Sequence, residues 1–66
     1  MKFQATLKEL RKEHGLTQAQ LAAKLKVSDT SIRDWENRGI QPSFEILCQL
    51  AEIFGITVGQ LLGVED

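Results

Sequence analysis

The chain is 66 residues long, 42% hydrophobic and 26% charged, with a net charge of -1 and a mean hydropathy of -0.16. A chain of this size buries about 60% of the surface its unfolded form exposes, so residues 1–66 are expected to form a single domain around one modest core. The composition excludes a disordered tail, a collagenous repeat and a low-complexity segment, and no stretch approaches the ~18 consecutive apolar residues of a membrane span.

In chain order the sequence reads as a series of helices. Leu7, Leu10 and Arg11 stand at helical spacing ahead of Gly15, a helix stop followed by apolar Leu16. Thr17 opens a second helix, Gln20 completes a capping-box pattern, and Leu21, Ala22 and Leu25 recur along it. Val27-Ser28 ends that segment, and Ser28 is placed to cap a third helix that carries Ile32, Trp35 and Glu36 on one side and closes at Gly39. Pro42-Ser43 begins a fourth, with Phe44, Leu47, Leu50, Ala51 and Phe54 on one stripe and Gly55 as its stop. Thr57 and Gln60 repeat the capping-box pattern ahead of Leu61-Leu62-Gly63, a short fifth helix. No stretch alternates with period two between hairpin dipeptides, so strands are not expected. The expected fold is all-α, a compact five-helix bundle with connections of about 2–5 residues.

The charges are segregated along the chain. Residues 1–40 carry eight bases against five acids, a net +3, whereas residues 41–66 carry four acids and no base, a net -4. An even spread would argue weakly against a nucleic-acid partner; segregation leaves room for a basic face to meet phosphate while the acidic half points away.

The third helix decides the function. With Ile32 at 0° and a 100° step per residue, Trp35 falls at about 300° and Glu36 at about 40°, the inward side. Arg33 falls at about 100°, Asn37 at about 140°, Thr30 at about 160° and Asp34 at about 200°, a polar outward face with an arginine on it. The turn before this helix is too short for its predecessor to run antiparallel to it. Such a pair, about residues 17–38, has the anatomy of a helix-turn-helix, whose second helix, here about 28–38, enters the major groove of DNA.

The run Gly15-Leu16-Thr17-Gln18, then Leu21-Ala22 and Leu25-Lys26-Val27-Ser28, resembles the Cro/repressor (XRE-type) helix-turn-helix family of phage and bacterial transcriptional regulators. Ile32 through Gly39, Pro42, Leu47, Leu50-Ala51 and Gly55-Ile56 continue the likeness, which covers about residues 3–63. The resemblance implies a lambda-repressor-like bundle in which Gln18, first in helix 2, caps a phosphate while Ala22 and Ile32 hold the two helices at their crossing. It also implies a partly buried pair between Arg11 and Glu36 that locks helix 1 to the reading helix. One departure stands out: the family usually has glycine where this chain has Lys26, and a left-handed backbone there costs a non-glycine about 1 kcal/mol.

The physics of the helix ends agrees with that picture. Helices 2 and 3 present unpaired N–H groups and positive dipole ends at their N-termini, which attract phosphate without net charge. Gln18, Lys26, Asn37 and Arg38 are the expected phosphate contacts, although each except Gln18 reads almost as well as a solvated charge or cap. Base reading falls to Asp29, Thr30 and Arg33, with Ser28 and Asp34 as helpers. Arg33 suits the O6 and N7 of a guanine, Thr30 a thymine methyl, and Asp29 a cytosine amine. Asp29 equally suits the helix dipole and an i,i+4 pair with Arg33 that would set the arginine's rotamer.

Other residues read as structural. His14 sits in the last turn of helix 1 with no second His or Cys to complete a metal site, Trp35 is a core anchor, and Cys48 is expected to be a half-buried small hydrophobe. Phosphate-cradling glycine loops, nucleophile–base pairs and clustered carboxylates are missing, so neither enzymatic activity nor a cofactor or metal is expected. With a single cysteine and no signal peptide at Met-Lys-Phe-Gln-Ala-Thr, the chain is expected in a reducing cytoplasm.

One helix-turn-helix buries limited surface, so a homodimer on a pseudo-palindromic operator is expected, with Ile46, Ile53, Val58, Leu62 and Val64 of the acidic half as the interface and Leu61 closing the core. The rival is a protein-interaction module, antitoxin-like or a co-regulator, with the same fold and weak or absent DNA binding; the acids on helix 3 favour it.

Overall fold

The computed structural model of the chain describes residues 2–65, which form five helices: α1 (Lys2–Glu13), α2 (Gln18–Leu25), α3 (Asp29–Asn37), α4 (Phe44–Phe54) and α5 (Val58–Leu62). There is no strand among the described residues, and no helix is long and apolar enough to cross a membrane. The expected all-α bundle is therefore the one observed, with each expected boundary met within a residue or two.

Short-range chemistry sets the helix ends. Two heptapeptides repeat the same device, Gly15-Leu16-Thr17-Gln18-Ala19-Gln20-Leu21 and Gly55-Ile56-Thr57-Val58-Gly59-Gln60-Leu61. In each, the threonine hydroxyl accepts from the glutamine backbone N–H at 3.0 Å, while the glutamine side chain accepts from the threonine N–H at 2.8 or 2.9 Å. The apolar residue before the cap and the leucine four positions into the helix occupy the places of a hydrophobic staple, and both leucines, Leu21 and Leu61, are fully buried. Ser28 and Ser43 cap α3 and α4 more simply, accepting from Ser31 and Ile46 N–H groups.

Four of the five helices stop in the same way. The amides of Leu16, Val27, Ile56 and Val64 return to the carbonyls five residues back, and the amides before them return to carbonyls three residues back, the Schellman motif. Its left-handed position is Gly15 after α1, Gly55 after α4 and Gly63 after α5, but Lys26 after α2, at φ 59°. Lys26 is the non-glycine residue with positive φ among those described.

The core joins Phe3 and Leu7 of α1, Leu21, Ala22 and Leu25 of α2, and Ile32 and Trp35 of α3. Leu47, Leu50 and Phe54 of α4 and Leu61 of α5 complete it. Leu10, Leu16, Val27 and Ile56 pack on its edge. Within these 28 × 22 × 21 Å dimensions, α2 lies against α3 and α4, and α1 against α3 and α5. Phe3 was not part of the expected core; two residues from the chain's start, it closes the α1 end of the cluster.

Two expectations for α4 are corrected. Phe44 is 71% exposed although it belongs by period to the core stripe. It is the first residue of α4, and because helical side chains lean toward the N-terminus, it projects beyond the end of the core. Cys48 is exposed rather than half-buried; it lies about 100° round the helix from Leu47, off the apolar stripe. His14 follows the end of α1, donates from Nδ1 to the Leu10 carbonyl at 2.9 Å and packs edge-on against the Phe54 ring, the ring centroids 5.0 Å apart.

The shared stop motif gives a direct test. Lys26→Gly is expected to raise stability by about 1 kcal/mol, a gain of about 4–8 °C in Tm for a domain of this size. Gly55→Ala, where an added Cβ meets no atom but φ is 69°, is expected to lower it by a similar amount in the same thermal melts.

Candidate nucleic-acid interface

The outward face of α3 is built by its inward one. Ile32 is fully buried, Trp35 and Glu36 nearly so, and this seats the helix with Asp29, Thr30 and Arg33 exposed and Asp34 half-buried. The helix N-terminus is open: the Ser28 hydroxyl takes the Ser31 amide and stands 3.2 Å from the Ser31 hydroxyl, leaving the amides of Asp29 and Thr30 without a partner inside the helix. Ser28, Asp29, Thr30 and Arg33 are thus brought together on one exposed surface, as expected.

Both arginines of this surface are already engaged. Arg33 Nη2 lies 3.4 Å from Asp29 Oδ2, and Arg38 Nη1 lies 3.6 Å from Asp34 Oδ1, each pair one helical turn apart. Exposed pairs of this kind contribute about 0–1 kcal/mol to stability; their effect is to narrow the arginine rotamers and to cancel the charge of the helix. Asn37 ends α3 and Arg38 caps it, both exposed, with the Arg38 amide returning to the Asp34 carbonyl at 2.9 Å. Lys26 is exposed at the turn between α2 and α3, where its left-handed backbone holds it between the two helices.

Behind this face lies a buried ionic knot. Arg11 of α1 donates from Nε to Glu36 Oε2 at 2.7 Å and from Nη2 to Glu36 Oε1 at 3.1 Å, while its Nη1 donates to the Leu16 carbonyl at 2.8 Å. The glutamate side chain has no exposed surface. The hydrogen bond to Glu36, opposed by burial and helped by the carboxylate's charge, holds the Arg11 guanidinium above its already high ordinary range. Gln18, at the first position of α2, is half-buried and donates from Nε2 to Glu36 Oε1 at 3.2 Å. The Arg11–Glu36 pair was expected from the family likeness; the Gln18 link was not. Its one sequence signal is an acid on the inward side of α3, a group that must find donors.

The expected dimer residues divide. Ile46, Ile53, Val58 and Leu62 are half-buried and pack against the core, whereas Val64 is 77% exposed. Phe44 and Ile40 are the other large exposed apolar side chains among the described residues.

The Helix-turn-helix family profile matches residues 7–61, a span that contains α2, the strained turn and α3 together with the Arg11–Glu36 clamp. The chain belongs to the helix-turn-helix family, of the Cro/repressor kind. It is 39% identical over its whole length to the HTH-type transcriptional activator BcrR of Enterococcus faecalis, covering 32% of that protein. It is 42% identical over 98% of its length to the HTH-type transcriptional regulator DdrOP3 of Deinococcus deserti, covering 51% of it. A third relative, the immunity repressor protein of Bacillus phage phi105, is 39% identical over 89% of the chain, with 41% of the repressor covered. The chain spans about a third to a half of the length of these relatives.

The buried knot can be broken or replaced. Arg11→Leu leaves Glu36 buried without its cation and is expected to cost about 3–5 kcal/mol, most of the roughly 3–10 kcal/mol available to a domain of this length. Arg11→Met combined with Glu36→Leu removes both charges and is expected to recover most of that loss, as read from urea midpoints.

Proposed function

We propose that this chain is the DNA-binding part of a cytoplasmic transcriptional regulator. It sets α3 in the major groove of a double-stranded operator. Gln18 and the N-termini of α2 and α3 meet phosphates, assisted by Lys26, Asn37 and Arg38. Asp29, Thr30 and Arg33 meet base edges, with Ser28 and Asp34 supporting them. The observation that carries this reading is the exposure of Thr30 and Arg33 on a helix whose opposite side is locked in the core. Its relatives, named as an activator, a regulator and a repressor, support it.

Two copies on a pseudo-palindrome, joined through Ile46, Ile53, Val58, Leu62 and Val64, would place their reading helices about 34 Å apart. Activation or repression then depends on where the operator lies. The reading uses no cofactor, metal or catalytic group.

A second reading draws on the paired charges of α3. With Asp29 on Arg33 and Asp34 on Arg38, the helix offers phosphate little net attraction, which suits an antitoxin-like or co-regulatory module that binds protein. A salt titration on duplex DNA separates the two. The DNA reading expects log affinity to fall linearly with log salt, with a slope of about -0.9 per phosphate contacted. Within it, Arg33→Ala is expected to relax preference at one base pair by about 1–3 kcal/mol, whereas Lys26→Gly lowers affinity for all duplexes alike. A flat salt response and unchanged affinity in both variants would favour the protein-binding module.

A further inference from the structure

Glu36 does more than pair with Arg11. Its carboxylate accepts three hydrogen bonds: Oε2 takes Arg11 Nε, and Oε1 takes both Arg11 Nη2 and Gln18 Nε2. The third bond ties the first residue of α2 to the buried side of α3. An amide next to a carboxylate has a single favourable orientation, because turning it over would set its oxygen against a carboxylate oxygen. Gln18 is therefore held as a donor, with one Nε2 hydrogen on Glu36. The second hydrogen is not committed to Glu36, and Gln18 and Ala19, the first two residues of α2, have backbone amides without partners inside the helix.

An acid so close to a phosphate seat would ordinarily repel the phosphate. Here the two-pronged grip of Arg11 cancels its charge, and the side chain is shielded from solvent. We propose that Glu36 is a positioning residue for phosphate binding. From inside the core, it fixes the Gln18 amide in its donating orientation, so that this amide and the free N–H groups at the start of α2 meet one phosphate together. This inference rests on the reading of Gln18 as a phosphate contact. It adds a function to a glutamate that would otherwise serve stability alone.

Two measurements test it. On duplex DNA, Gln18→Ala is expected to weaken binding about tenfold for every sequence. Arg11→Met with Glu36→Leu is expected to weaken it by a similar factor while leaving the ranking of base preferences intact. Adding Gln18→Ala to that pair is expected to bring no further loss, because the two sites act as one unit. Additive losses, about a hundredfold in the triple variant, or a changed ranking of base preferences, would overturn the proposal in favour of a structural role. If Gln18→Ala binds every duplex as the parent does, the phosphate reading of Gln18 fails and the proposal fails with it.

The second measurement needs neither DNA nor a variant that folds. In the free parent chain, the two Nε2 hydrogens of Gln18 are expected to exchange with solvent at rates differing by about fivefold or more, the slower being the one held by Glu36. Equal rates would show that the amide is not held, and would overturn the proposal whatever the binding data give.

Discussion

A fully buried glutamate is a demanding feature in a chain of 66 residues. Removing a carboxylate from water costs several kcal/mol even after the protein relaxes, and only close, well-aligned donors restore what is lost. Arg11 supplies two of them in a fork whose shape matches the carboxylate, and its remaining reach goes to the Leu16 carbonyl, in the connection that leads into α2. One arginine thus fastens α1 to α3 and to the approach of α2. Apolar packing would bring the same helices together, but oil-like contacts tolerate small slides and rotations. A two-pronged hydrogen-bonded pair does not. The pair fastens α3 from behind, while Ile32 and Trp35 in the core set which way Arg33 and Thr30 face.

The turn between α2 and α3 applies the same economy of means with the opposite sign. Three other helices end on a left-handed glycine, so the fold has a ready solution for the stop motif, and α2 departs from it at Lys26. The strain is small beside the whole stability of the domain, and what it secures is a cation at the tip of the turn, exposed and adjacent to the N-terminus of α3. A glycine would give a more relaxed turn and no charge. Local conformational strain at such a place is intelligible where the side chain has work to do outside the protein.

Much of the fold was legible in the sequence because its signals are local. Threonine or serine followed three residues later by a capping partner, and glycine followed by an apolar residue, act within a single turn of helix, and they mark the observed boundaries. The outward face of α3 followed from period alone. Phe44 shows where period fails: the wheel knows the angle of a residue but not whether the neighbouring layer extends as far as its end of the helix. Cys48 shows a second limit: its small apolar side chain suggests burial, but its angle off the stripe leaves it exposed. The contact between Gln18 and Glu36 spans eighteen positions. Nothing local encodes it; it depends on how α2 crosses α3, which the core determines. The Arg11–Glu36 pair, still more distant in sequence at 25 positions, was anticipated only because the pattern of a whole family carried it.

The charges of α3 are nearly balanced. Arg33 and Arg38 are each paired with an acid one turn earlier, and the acidic residues of the chain beyond position 40 add no compensating base. Attraction to a polyanion must then come from elsewhere: from the dipoles and free amides at the starts of α2 and α3, and from lysines such as Lys24 and Lys26, which are exposed and in no ion pair among the described residues. Such an arrangement separates two tasks that a bare basic helix would merge. On the proposed reading, non-specific affinity would stay low because α3 is nearly neutral, while an arginine already narrowed in rotamer by Asp29 would lose little freedom on meeting a base. Discrimination between sequences, a difference between two binding energies, would thereby be favoured over the strength of binding to any one of them.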